Sequence, residues 1–179
     1  MPERGLARSL VEAYVHFDLL QPQGSAAAEV THEPDGLMLR LGAAEVLVPY
    51  EAEEAARAEG LTFGAGLSEL VDPGQWTLVA ATYADRALEG GLMYAASVAA
   101  GEDAYTKVTT NWRFAADALA EALKFFPEGA AELPPEAFWT EEGQTLRASD
   151  PARLTREKLE RDLTFYRRSL ADFQHLRTR

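Results

Sequence analysis

The stretch from Gly91 to Phe126 constrains the fold most, because its hydrophobic period changes once, at Phe114. Residues 105–114 are rich in β-branched and aromatic side chains and alternate between apolar and polar. Successive side chains of a strand point to opposite faces, so this alternation predicts a half-buried antiparallel strand. After Phe114 the apolar residues recur at helical spacing as far as Phe126, and Pro127 ends the run. The stretch is therefore predicted to be a strand followed by a helix.

The polar face of this predicted strand is the leading candidate for a binding site. All of its side chains are capable of hydrogen bonding, and two of them are cationic in an acidic chain. Such a row suits an anionic ligand or a peptide, although the solvated side of any antiparallel sheet has the same pattern. The candidate residues are Tyr105, Lys107, Thr109, Asn111 and Arg113.

Two more strands are predicted before this one. Residues 76–84 contain β-branched and aromatic side chains that favour a strand, although Asp72 and Pro73 would also suit the start of a helix. Residues 92–99 lead into a plausible hairpin connection at Gly101, although their alanines also favour a helix. The choice between helix and strand here decides whether the sheet has about six strands or three.

The N-terminal part predicts a helix followed by a three-stranded meander. Apolar residues at helical spacing predict the helix over residues 4–20. The turn residues Pro34-Asp35-Gly36 separate the first two strands, and an Ala/Glu-rich helix over residues 51–59 ends at Gly60. The three strands are predicted at residues 29–33, 36–41 and 45–48.

The C-terminal part predicts a long irregular connection, residues 127–149, and then an amphipathic helix. Asp150 would cap that helix, with Pro151 at its first position. Its apolar residues follow the alternating four-three spacing of a coiled-coil seam, which suits either a dimer interface or packing on the chain's own domain. The seam residues, our candidate interface, are Leu159, Leu163, Tyr166, Leu170 and Phe173.

Charge is distributed unevenly along the chain. The formal net charge of −12 argues against a general nucleic-acid binder, because such binding depends on Lys and Arg neutralising phosphates. Residues 151–179 nevertheless carry eight Lys or Arg and four acidic side chains, a net charge of +4, so the remainder carries −16. We therefore expect an acidic domain over residues 1–149 and a basic helix over residues 150–179 that acts in docking or dimerisation.

Together these elements predict an α+β protein. Its antiparallel sheet of about 5–6 strands would be covered on one face by helices, with the basic amphipathic helix at the C-terminus. The order of elements is similar to that of the secretion-chaperone-like fold, in which helices flank a small sheet in a dimer. The similarity concerns element order alone.

Residue types that carry chemistry form no recognisable site. Cysteine is absent, and no serine lies in a Gly-x-Ser-x-Gly sequence. The glycine-rich residues 60–66 lack the lysine of a phosphate-binding loop. His16 follows Glu12 by four residues, but two ligands do not make a metal site. We predict no catalytic residue, no metal and no cofactor.

Neither a leader nor a membrane span is visible in the sequence. Met1-Pro2-Glu3-Arg4 does not begin a charged region followed by an apolar run, and no segment has about 18 uninterrupted apolar residues. We expect a soluble cytoplasmic protein that binds neither nucleic acid nor a membrane.

Two functions are consistent with these features. The first is a non-enzymatic binding or regulatory module that engages a protein or peptide partner as a homodimer, and it predicts an exposed apolar patch. The alternative is a small-molecule-binding protein or an enzyme that acts on an anionic ligand at Lys107, Asn111 and Arg113. It predicts a concave site at those residues.

Overall fold

The computed structural model describes residues 4–97 and 99–178. Within them the chain is α+β, as predicted, with seven α-helices and one four-stranded sheet. It divides into two compact units between Val71 and Asp72, called unit 1 and unit 2 below. No helix in the described residues is both long enough and apolar enough to cross a membrane.

Unit 1 contains the sheet, whose strands lie in the order β1-β4-β3-β2. Strand β1 pairs parallel to β4, whereas β2–β3 and β3–β4 are antiparallel. The predicted meander is therefore confirmed, and its first two strands have the predicted bounds. The strands are β1 (Gly5–Leu6), β2 (Glu29–Glu33), β3 (Gly36–Leu41) and β4 (Ala44–Pro49).

Three helices accompany the sheet in unit 1: α1 (Leu10–Leu20), α2 (Gly24–Ala27) and α3 (Tyr50–Ala58). The first begins later than predicted, because Ser9 caps it by accepting a hydrogen bond from the Glu12 N–H. Residues 1–3, which contributed to the leader prediction, lie outside the described part of the chain. Gly60 follows α3 at φ +66°, the left-handed conformation expected at a helix stop.

The core of unit 1 lies between α1 and the sheet. Phe17 on α1 packs with Leu39 of β3 and with Val46 and Val48 of β4, and all four side chains are buried. Gly24 lets α2 approach α1, because a Cβ there would overlap the backbone carbonyl of Phe17.

Unit 2 is helical in its described residues, and this corrects the predicted strand count. Its helices are α4 (Pro73–Ala96), α5 (Glu102–Leu123), α6 (Glu141–Ser149) and α7 (Arg156–Arg177), with 3₁₀ turns at Pro135–Ala137 and Pro151–Leu154. The sheet therefore has four strands, one of them parallel, and not five or six antiparallel ones.

The predicted strand at residues 76–84 is wrong because the helix-starting signals at Asp72 and Pro73 prevail. Asp72 and Gln75 form a reciprocal capping box, and Pro73 occupies the first turn. Residues 92–96 continue the same helix, so the strand predicted at 92–99 is also wrong over them. Position 98 lies outside the described residues.

The predicted strand at residues 105–114 is wrong because these residues contain a buried apolar stripe at helical spacing as well as the alternating pattern. Val108, Trp112 and Ala115 are spaced by four and three residues, and all three are buried on one face of α5. The Thr109 hydroxyl donates to the Thr106 carbonyl, which accommodates a β-branched residue within the helix. Tertiary packing thus outweighs the local strand preference.

The predicted irregular connection contains α6, which a buried carboxylate joins to α4. The Asp72 carboxylate accepts hydrogen bonds from the Gln75 N–H (2.9 Å), the Thr140 N–H (2.9 Å) and the Thr140 hydroxyl (2.6 Å). Gly143 approaches this carboxylate so closely that a Cβ there would lie 2.6 Å from the Asp72 Cγ. The last helix begins at Arg156 with Thr155 as its cap, later than the predicted Asp150.

Candidate functional site

The five polar candidates of α5 do not share one face. Residues two apart on a helix are separated by about 200°, so an alternating row divides between two sides. Tyr105, Thr109 and Arg113 follow one side of α5, four residues apart, whereas Lys107 and Asn111 follow another.

The side with Tyr105 belongs to an aromatic cluster that holds the end of α7. The Tyr105 ring stacks on Phe173 with centroids 5.3 Å apart, and the Arg177 guanidinium lies 4.2 Å from the Tyr105 centroid. Arg177 also forms an ion pair with Glu102. The hydrogen bonds that the guanidinium donates lower the pKa of the Glu102 carboxyl. We therefore assign Tyr105 a packing role.

Lys107 and Asn111 face a groove between the C-terminal half of α4 and the N-terminal half of α5, called the α4–α5 groove below. Its volume is about 530 Å³. Arg86 and Glu89 contribute polar side chains from the α4 wall, and Met93 contributes an apolar one. Two of the five predicted site residues therefore lie together at a concave surface, while Tyr105, Thr109 and Arg113 do not line it.

Small residues form the floor of the groove and keep its centre low. Gly90 of α4 and Ala104 of α5 lie there, and a Cβ at Gly90 would come within 3.1 Å of the Val108 side chain. Glycine in a helix interior costs about 1 kcal/mol relative to alanine, but here it allows α4 to approach α5. The larger side chains of both helices then project as walls.

The groove carries two cations without ionic partners among the described residues. Lys107 and Arg86 are both exposed, and neither forms an ion pair there. The Arg86 guanidinium instead lies 5.6 Å from the centroid of the Tyr83 ring. With Glu89 included, the groove lining has a net charge of +1 in a chain of −12.

Exposed apolar side chains are frequent in the C-terminal half of α4, which also forms one wall of the groove. Met93 is 67% exposed on the groove wall. Leu88 and Leu92 are 49% and 74% exposed, but each lies two residues from Gly90 and therefore about 200° around α4 from the groove floor. Ten large apolar side chains are exposed in the described residues, and three of them lie within residues 88–93. This short segment is therefore the densest exposed apolar region of that part of the chain.

The predicted seam on α7 is covered within unit 2. Leu159 and Leu163 are buried, and Phe173 packs with Tyr94 of α4 and with Tyr105. Tyr166 and Leu170 are partly buried against the same core, and burial raises the pKa of the Tyr166 hydroxyl. The apolar face of α7 thus packs against its own unit.

The Glu12–His16 pair of α1 is also accounted for by packing. Glu12 is fully buried, and both of its carboxylate oxygens accept hydrogen bonds from Arg8. Burial lowers the pKa of His16, while the Glu12 charge and a hydrogen bond to the Leu70 backbone oppose this shift. Within the described residues, no group of three or more His, Cys, Asp or Glu side chains is placed to hold a metal ion.

Sequence reasoning missed the α4 half of the groove. Arg86, Gly90, Met93 and Ser97 recur every three or four residues, which is the pattern of one helix face. That pattern becomes informative only once residues 73–96 are recognised as a helix, and the Asp72-Pro73 start was the available signal.

Comparison of the chain with protein-family models, with curated proteins and with solved structures found no match.

Proposed function

We propose that this chain is a binding module that engages a protein or peptide segment at the α4–α5 groove. One observation carries the proposal, namely a concave groove whose walls carry an exposed Met93 side chain and two cations, Arg86 and Lys107, without ionic partners in the described residues. A concave surface that combines apolar side chains with a few polar groups is typical of a binding site. A groove between two helices is also a common receptor for a peptide segment.

A small anionic ligand is the second candidate. Lys107 and Asn111 lie one turn apart on α5, and Arg86 lies on the opposite wall. A groove of about 530 Å³ is within the size range of small-molecule sites. The length of the groove favours the larger partner, because its α4 lining extends from Arg86 to Ser97, about three helical turns.

The homodimer stays a prediction, but the surface that we propose for its interface is a different one. Because α7 buries its seam on its own unit, a second copy would contact the exposed part of α4 instead. A C2 interface uses the same patch on both copies, and the Leu88–Met93 segment is the exposed apolar patch best suited to it.

Site-specific photo-cross-linking in cells tests the proposal. A benzophenone amino acid replaces Met93 in the groove or, as the matched control, Leu67 in unit 1, which is 52% exposed. We expect discrete cross-linked products from position 93 and not from position 67. Products at twice the chain mass would identify a second copy as the partner.

A groove-filling variant makes the same experiment specific. Ala104→Trp places a large ring on the groove floor and should abolish the products from position 93. Lys107→Glu changes an exposed side chain of the groove and is tested in parallel, since it carries little risk of unfolding. Equal cross-linking from positions 93 and 67, no cross-linking from 93, or products insensitive to both variants would contradict the proposal.

A further inference from the structure

We infer that the segment bound by the α4–α5 groove is an acidic amphipathic helix, an inference that rests on the proposed function above. The groove supplies three features that together define this class of partner. These are cations on both walls, an apolar floor of small residues, and the length of the groove.

The cations select for carboxylates. Arg86 lies on the α4 wall and Lys107 on the α5 wall, so a segment in the groove meets positive charge on both sides. Neither cation is satisfied by a carboxylate within the described residues. Asp or Glu side chains of a partner would supply the missing charge, and the Asn111 amide beside Lys107 can donate a further hydrogen bond.

The acidic groups near the groove do not cancel this preference. Glu102, at the start of α5, is already paired with Arg177. Glu89 is the one acidic side chain in the described lining, three residues after Arg86 on α4. A partner would therefore place its carboxylates toward Lys107 and Asn111 and avoid a second acid opposite Glu89.

The floor selects for a helix with apolar residues on one side. Gly90, Ala100 and Ala104 keep the centre of the groove low, so an apolar side chain can descend between the walls. Met93 then covers this side chain from α4. Helices pack through such ridges and grooves, with interaxial distances of about 8–10 Å.

The length of the wall sets the length of the segment. Arg86 and Ser97 lie at opposite ends of the α4 lining, eleven residues and therefore about 16 Å apart along the helix. A partner helix of about three turns would fill this distance. Its apolar residues would recur every three or four positions, with Asp or Glu flanking them.

Selection from a library of random peptides of about 16 residues, displayed on ribosomes, tests the inference. We expect enriched peptides to combine apolar residues at helical spacing with Asp or Glu one turn away. Their affinity should fall about tenfold or more for the variant Arg86→Glu/Lys107→Glu, because two favourable charge contacts become repulsive. The matched control is Arg113→Glu/Arg168→Glu, which changes the net charge by the same amount at two exposed positions that do not line the groove. The loss of affinity for this control should be smaller.

The outcomes separate this inference from the proposed function. Enrichment of neutral or basic peptides that lose binding to Ala104→Trp would overturn the acidic class and leave the groove as the binding surface. Acidic peptides that bind the two double variants equally well would also overturn the inference. Failure to enrich any peptide, or enriched peptides that bind Ala104→Trp as well as the wild-type chain, would overturn both.

Discussion

Among the described residues, each unit buries one carboxylate completely, but the two carboxylates are satisfied in different ways. Glu12 of unit 1 is paired with the Arg8 guanidinium, which donates from Nε at 2.8 Å and also from Nη2. Asp72 of unit 2 forms no ion pair within the described residues and instead accepts from two backbone N–H groups and a hydroxyl. A buried carboxylate thus depends on a counter-charge in one unit and on backbone geometry in the other.

The charge pair of unit 1 also organises a loop. The Arg8 Nη1 donates to the carbonyls of Gly64 (3.3 Å) and Gly66 (2.7 Å), and the Ser9 hydroxyl donates to the Phe63 carbonyl (3.0 Å). The glycine-rich residues 60–66 are therefore hydrogen-bonded to the start of α1. Loss of either charge should disturb both the helix and the loop.

The Asp72 anchor of unit 2 instead requires two glycines. A Cβ at Gly74 would lie 2.6 Å from the Gly143 Cα, and a Cβ at Gly143 would overlap the Asp72 carboxylate. The starts of α4 and α6 can meet around one carboxylate only because both positions lack a side chain. Substitutions that add volume at these glycines should therefore lower the stability of unit 2, whereas loss of a charge should lower the stability of unit 1.

The largest effect is expected from Glu12→Gln. Removing the carboxylate leaves the Arg8 charge in a largely buried site, which should lower the free energy of unfolding by about 4 kcal/mol. Urea unfolding followed by far-UV circular dichroism measures this loss. All three tryptophans lie in unit 2, so their fluorescence reports that unit separately.

Two controls make the Glu12 result interpretable. Glu51→Gln neutralises an exposed carboxylate of α3 and should change the free energy of unfolding by less than about 0.5 kcal/mol. Arg8→Met/Glu12→Leu removes both charges and should recover much of the loss, because no buried charge is left alone. A single variant as stable as the wild-type chain would contradict the role of the ion pair.

Leu159→Ala should lower the free energy of unfolding by about 3 kcal/mol, because Leu159 is fully buried in unit 2. The loss should appear in tryptophan fluorescence and stay the same over a wide range of protein concentration. A loss that grew on dilution would instead place α7 in an interface between two copies. Leu176→Ala, on an exposed position of α7, is the matched control.

Gly143→Ala should cost about 2 kcal/mol, because the added methyl group displaces the Asp72 carboxylate from its donors. The matched control is Gly91→Ala, where the new Cβ would lie 3.9 Å from Val108 in ordinary contact. That substitution should raise the free energy of unfolding by about 0.5–1 kcal/mol. Equal effects of the two variants on the fluorescence transition would contradict the steric account of unit 2.

The smallest expected effect is on the pH dependence of the stability of unit 1. Burial lowers the pKa of His16 below its ordinary value of 6.5, so the unfolded chain binds a proton more readily than the folded one. The stability contributed by neutral His16 is complete above pH 6.5 and falls as pH decreases toward the folded-state pKa. His16→Gln should remove this component of the pH profile, whereas His32→Gln, at an exposed position, should not. Identical profiles for wild type and His16→Gln would contradict this expectation.

The elements found from the sequence are those specified by local signals. Strands β2 and β3 follow from alternation and from the turn at Pro34-Asp35-Gly36, which lies between them. Helix α5 was predicted correctly after Phe114 but missed before it, because the alternating threonines of residues 105–114 favour a strand. The packing of Trp112 with Phe173 stabilises the helical stripe there and outweighs that local preference. Strand β1 has two residues, too few to show any period.

Two residues of the α4–α5 groove, Lys107 and Asn111, were among the five binding candidates predicted from the sequence. They were predicted to share the polar face of a strand, whereas they line the groove because they lie one turn apart on a helix. Arg113 was chosen for the same alternation and lies outside the groove lining. The opposite wall depends on how α4 and α5 pair, which no local pattern encodes.

The most direct test of the α4–α5 groove is amide chemical-shift mapping by NMR, using the isotope-labelled full chain and a peptide selected from the library. We predict that the shift changes concentrate within residues 86–111 and disappear in the Ala104→Trp variant. Changes centred on the outer face of α7 or on the sheet of unit 1, with residues 86–111 unaffected, would contradict the assignment of this groove as the binding surface.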